Sequence, residues 1–108
     1  MENIVYTFSH TGIEQENEKA LRYAALAAEK QSALNEVVKF IFDGCHGFNS
    51  EISEKTINDA FDCVVNSEKA ALYAQEMQKE ERERIIQQTE LTYNLKKEWF
   101  KSLLRVKV

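Results

Sequence analysis

The sequence predicts an all-α fold, an elongated helical hairpin or three-helix bundle with long first and third helices and a short extended N-terminal arm. Three observations predict it. The 108 residues contain no proline, and the three glycines fall at Gly12, Gly44 and Gly47, so residues 48–108 hold neither helix breaker. Apolar residues recur at three-and-four spacing through the long uninterrupted runs, which is the period of an amphipathic helix. One stretch alone departs from that pattern: "FDGCHGFNSE", residues 42–51, carries two of the glycines, a cysteine and a histidine.

At this length residues 1–108 form a single helical domain. Ile4, Val5, Tyr6 and Phe8 are β-prone but make only one short segment, so residues 1–11 read as an arm that packs on the helices or on a partner. Thr11 with Glu14 forms a capping-box signature. The helix it opens spans residues 12–43. Its middle, "ALRYAALAAEK", is rich in alanine and permits close helix approach. Leu34, Val38 and Ile41 continue one stripe, and Leu26, Ala33, Val37 and Phe40 widen it.

Residues 44–52 read as a glycine hinge, with Gly44 and Gly47 supplying positive φ and Asn49, Ser50 or Ser53 capping the next helix. The second helix spans 53–66 with Ile57, Ala60, Phe61, Val64 and Val65 on one face. Asn66 and Ser67 are capping residues, so a break or kink is expected there, with a third helix over 67–105. In that helix Ile85, Thr92, Leu95, Trp99 and Leu103 form one stripe, and Ile86, Tyr93, Phe100 and Leu104 a second beside it. Helices of this length run to about 45 Å and 55–60 Å. A compact domain has a radius of gyration of roughly 13 Å. A homodimer that covers the exposed stripes is therefore expected.

Most kinds of chemistry lack their residues. His10, Cys45, His46 and Cys63 compose a conceivable zinc set, but without the close ligand pairs that structural zinc sites use. A metal-dependent enzyme or sensor using Cys45 and His46 therefore stands only as an alternative. The adjacent Cys45 and His46 have no orienting third group for nucleophilic catalysis. No phosphate-binding, nucleophile-elbow or zincin motif occurs. The expectation is a protein that is not an enzyme and needs no cofactor or metal.

Charge is distributed unevenly. Residues 1–93 hold nine basic against seventeen acidic side chains, and residues 94–108 hold five against one; the chain's net charge is −4. Lys97, Lys101 and Arg105 line one side of the C-terminal segment and Leu95, Trp99 and Leu103 the other. This basic amphipathic pattern suits docking on a membrane or a partner groove. The competing reading places Trp99 and Phe100 in the core and the cations against the helix dipole. Glu80, Glu81 and Glu83 in "EERER" read as a solvated face with ion pairs such as Glu80–Arg84.

Phe42-Asp43-Gly44 at the end of the first long helix resembles the Trp-x-Gly turn of the WXG-type secreted helical hairpins. That family's Tyr-x-x-x-Asp/Glu tail motif is absent: Tyr73 is followed four later by Met77, and Tyr93 by Lys97. The resemblance covers a turn and a shape, and it implies a secreted or membrane-docking hairpin as an alternative function.

The leading expectation is a small acidic cytoplasmic protein that binds another macromolecule and regulates or inhibits it, as a phage-type inhibitor or accessory factor does. The candidate partner-binding residues are Lys97, Trp99, Phe100, Lys101, Arg105, Glu80, Glu81 and Glu83. The expected partner is a protein. Direct nucleic-acid binding is disfavoured by the acidic body, and membrane contact is left to the C-terminal helix alone.

Overall fold

A computed structural model describes residues 17–44 and 51–108 of the chain. The fold is all-α. Helix α1 is described over residues 17–29, followed by α2 (Gln31–Lys39), a π-helical turn (Phe40–Gly44), α3 (Glu54–Ala74) and α4 (Lys79–Leu103). Two two-residue strands, β1 (Ile52–Ser53) and β2 (Val106–Lys107), pair in parallel with Ile52 opposite Val106. The expected arm, the Thr11–Glu14 capping box, His10, Cys45, His46, Gly47, Phe48, Asn49 and Ser50 lie outside the described residues.

Helix α3 is the middle of a three-helix layer. Contacts Phe61–Phe100, Glu54–Lys101 and Lys69–Glu90 run α4 antiparallel to it on one side. Tyr23–Tyr73 and Gln31–Cys63 run α1 and α2 antiparallel to it on the other. The molecule is long and narrow, 68 × 23 × 20 Å with a radius of gyration of 18.1 Å. The core is correspondingly small: Val37, Ile52, Ile57 and Ala60 are buried, flanked by half-buried Phe61, Phe100 and Leu104.

Three boundaries differ from the expected ones. The first helix bends at Lys30, whose φ of −105° and ψ of 6° leave the helical region. No proline or glycine causes the bend. Lys30 sits on it and reaches Asp59 of α3 at 3.2 Å, so packing onto α3 interrupts an otherwise continuous helix. The second helix does not break at Asn66–Ser67 but runs on to Ala74. The Ser67 hydroxyl donates to the Cys63 carbonyl at 2.8 Å, four residues back, so the serine is satisfied inside the helix instead of capping a new one. The actual break is at residues 75–78, and the last helix begins at Lys79, not at residue 67.

Of the expected hinge, Gly44, Glu51 and Ile52 are described. Among the described residues no glycine has positive φ; Gly44 closes the π-helical turn instead, and the expected hinge ends in strand β1. Of the three expected caps, Ser53 starts α3: its Oγ accepts the Lys55 N–H at 3.1 Å.

Asp59 links the bend to α3. Its carboxylate accepts from the Lys55 ammonium at 3.0 Å and from Lys30 at 3.2 Å. The Lys55 hydrogen bond, assisted by Lys30, holds the carboxyl below its ordinary 3.8, while partial burial acts in the opposite sense. A group whose folded pKa is depressed contributes stability above its unfolded pKa and loses it as pH falls through the folded value. Asp59→Asn is therefore expected to lower the urea midpoint at neutral pH. The gap to the native chain should close as pH is taken below 3.8 and through the lowered value. An equal gap at every pH would show that the ion pairs do not stabilise the bend.

Candidate functional site

Of the two aromatics that one reading placed in the core, Phe100 is there and Trp99 is not. Phe100 turns inward and meets Phe61 edge-on at 5.9 Å. Trp99, its neighbour, stays 64% exposed. Successive helical residues are about 100° apart, so only one of two adjacent aromatics can face α3, the helix packed against α4 among the described residues. With Leu91, Leu95 and Leu103, each 60–62% exposed, Trp99 forms a stripe at strict four-residue spacing along the outside of the helix.

The cations do not stand free opposite this stripe. Lys101 has only 14% of its side chain exposed and binds Glu54 of α3 at 3.1 Å, with Glu98 at 3.9 Å. It joins the C-terminal turn of α4 to the N-terminal turn of α3, where each charge also opposes a helix dipole. Lys97 is half-buried and lines a cleft with Asp62, Val65 and Tyr93 between α3 and α4. Arg105 is exposed, and its carbonyl accepts the Ile52 N–H at 3.3 Å, which joins the two short strands.

Glu80, Glu81 and Glu83 are exposed, and the first two occupy the first turn of α4, where carboxylates are favoured. Arg84 reaches Glu81 at 4.0 Å, a different pair from the one the spacing suggested. Reading "EERER" as uniformly solvated fails at one residue. Arg82 is 2% exposed. Its Nε donates to the Leu72 carbonyl at 3.1 Å, and an Nη donates to the carbonyls of Gln75 and Met77 at 2.9 and 3.3 Å. A helix end leaves four carbonyls without intrahelical partners, so an arginine from the next helix closes the end of α3. The guanidinium also lies 5.3 Å from the Tyr73 ring centre, and Tyr73 stacks on Tyr23 of α1 at 5.5 Å.

A second apolar feature adjoins α4. A groove of about 170 Å³ runs between α2 and α4 over α3, walled by Leu34, Val38 and Ile41 on one side and Phe100 on the other, with Phe61 and Val64 at its base. Val38 and Ile41, in the stripe the spacing marked, are 43% and 39% exposed. The residues 33–41 split: Val37 faces the core and its neighbour Val38 the groove.

Of the conceivable zinc set, Cys63 alone lies among the described residues. Cys63 is fully buried in α3 and its thiol points at Gln31 Oε1, 3.8 Å away. Among the described residues no three His, Cys, Asp or Glu side chains are placed to hold an ion. A wide cleft at the end of α2 gathers Glu36, Asp43 and Glu51 beside Lys39. Among the described residues no helix is long and apolar enough to cross a membrane.

No protein-family model, no curated protein and no solved structure matches the chain. The class its geometry defines is therefore a structural one: a thin layer of antiparallel helices with an uncovered apolar face.

Proposed function

We propose that this protein is not an enzyme and acts by binding another macromolecule, which it regulates or inhibits. The observation that supports this reading is the uncovered stripe Leu91–Leu95–Trp99–Leu103 on α4. Isolated exposed apolar residues are ordinary, but contiguous patches mark contact surfaces. The start of α4 adds Glu80, Glu81 and Glu83 on the solvent side while Arg82 is withdrawn, so the first half of the helix favours a protein partner with a basic rim. The proposed setting is the cytoplasm, where the buried Cys63 thiol stays reduced.

The test is recovery of the tagged chain from its own host under native conditions. The native chain is expected to retain a companion macromolecule in fixed proportion. Leu91→Asp with Leu95→Asp should strip it while leaving helicity unchanged, because both side chains are exposed. A native chain that brings no companion at any salt concentration would overturn the proposal.

Docking of the C-terminal helix on a membrane is the second reading, and the exposure of Trp99 favours it. Against it stands Lys101, which such a helix needs at the lipid headgroups and which is bound to Glu54 instead.

A further inference from the structure

We infer that the groove between α2 and α4 is filled by Trp99 of a second copy of this chain, reciprocally, in a two-fold dimer. The inference rests on the reading above that the apolar face is a contact surface, and it names the occupant of one part of that face.

The position of Trp99 comes first. Phe100 forms the α4 wall of the groove. Trp99 and Leu103 lie about 100° and 60° round the helix from Phe100 in one direction, and Lys97 lies about 60° in the other. Lys97 lines the cleft on the opposite face of the layer with Asp62 and Val65. Trp99 and Leu103 therefore stand on the shoulder of the groove side. From there Trp99 does not fold into its own groove; it remains 64% exposed.

Size and chemistry agree with an aromatic occupant. An apolar cavity of about 150 Å³ takes up benzene, and this groove offers about 170 Å³ between wholly apolar side chains. No charge lines it, which suits a permanent self-interface more than a transient heteromeric one, since homodimer interfaces are the more apolar class. In a two-fold arrangement each copy supplies one knob and one groove, so both contacts form at once.

Exposure points the same way: Val38, Ile41, Trp99 and Leu103, on or beside the groove, are 39–64% exposed, and a second copy would cover them on both chains at once. Among the described residues few apolar side chains are fully buried, and filling the groove would continue the Val37–Ile57–Ala60 core across the interface.

Trp99 is the only tryptophan, so its fluorescence reports on the contact directly. Light scattering of the full chain is expected to give twice 12.5 kDa, with Trp99 emission blue-shifted and moving to that of water-exposed indole as dilution separates the copies. Val38→Glu, which places a carboxylate in the groove, should yield a monomer with water-like emission; Trp99→Ala should also yield a monomer. If Val38→Glu loses its helicity, the native chain's joint dilution curve of mass and emission decides alone. A monomer at every concentration overturns the inference, and so does a dimer whose Trp99 emission stays water-like. A monomer whose emission shifts only on anionic vesicles overturns it in favour of the membrane. A monomer that still loses a host companion on Leu91→Asp with Leu95→Asp overturns the pairing and leaves the proposed binding function standing.

Discussion

Arg82→Ala is expected to destabilise the protein by about 2–3 kcal/mol, the range for losing hydrogen bonds made by a buried charged donor. The substitution removes the Arg82 donor from the carbonyls of Gln75 and Met77, and leaves that of Leu72 with the Gln75 N–H alone. It also removes the cation from the face of Tyr73 and opens a void at the junction of α1, α3 and α4. Arg82→Lys should recover only part of the loss, about half, because an ammonium on a flexible stem cannot replace a planar fork spanning three carbonyls. Urea unfolding at fixed protein concentration measures both. A loss below about 1 kcal/mol for Arg82→Ala would mean that water satisfies the end of α3 equally well.

Ile57→Ala is expected to cost about 3 kcal/mol, within the usual range for truncating a fully buried isoleucine. Ile57 is 0% exposed in a core whose other buried members are Val37, Ile52 and Ala60, two of them on other elements. A cavity there loosens α3 from α2 and from the short strands together. Against a total stability of about 5–15 kcal/mol for an ordinary domain, one such loss is large. The contrasting substitution is Leu95→Ala, on the outer face of α4 and 62% exposed, which should change the midpoint by no more than about 0.5 kcal/mol. Equal losses for the two would place the core elsewhere than between α2, α3 and β1.

Much of the fold was legible because helical periodicity is a local property. Ile57 and Ala60 lie on the face the spacing predicted to be buried, and Ser53 caps the helix it was expected to be able to cap. The break between the last two helices was not legible. Asn66 and Ser67 have capping side chains, yet Ser67 bonds to its own helix, and the break falls in "QEMQ", which holds no breaker. What permits it is Arg82, seven residues beyond Gln75, whose burial no local pattern discloses. Tyr23 and Tyr73 are likewise fifty positions apart in the sequence and stack only because α1 and α3 are antiparallel.

The candidate surface divides in the same way. Leu95, Trp99 and Leu103 were recognisable as a stripe from the sequence, and Leu91 extends it at the same spacing. Val38 and Ile41 were read as part of a stripe but not as the wall of a groove, because a period marks a residue as apolar-faced without saying whether a neighbour arrives to cover it. The sequence by itself determined the helical class, the elongated build and the amphipathic ends, since composition and period act within a few residues of chain. Only the tertiary structure decided which stripe of α4 meets α3, that Lys101 turns inward to Glu54 while Trp99 turns out, and that Arg82 closes α3. Those choices depend on which of two adjacent residues, about 100° apart on the helix, points at the one neighbour available.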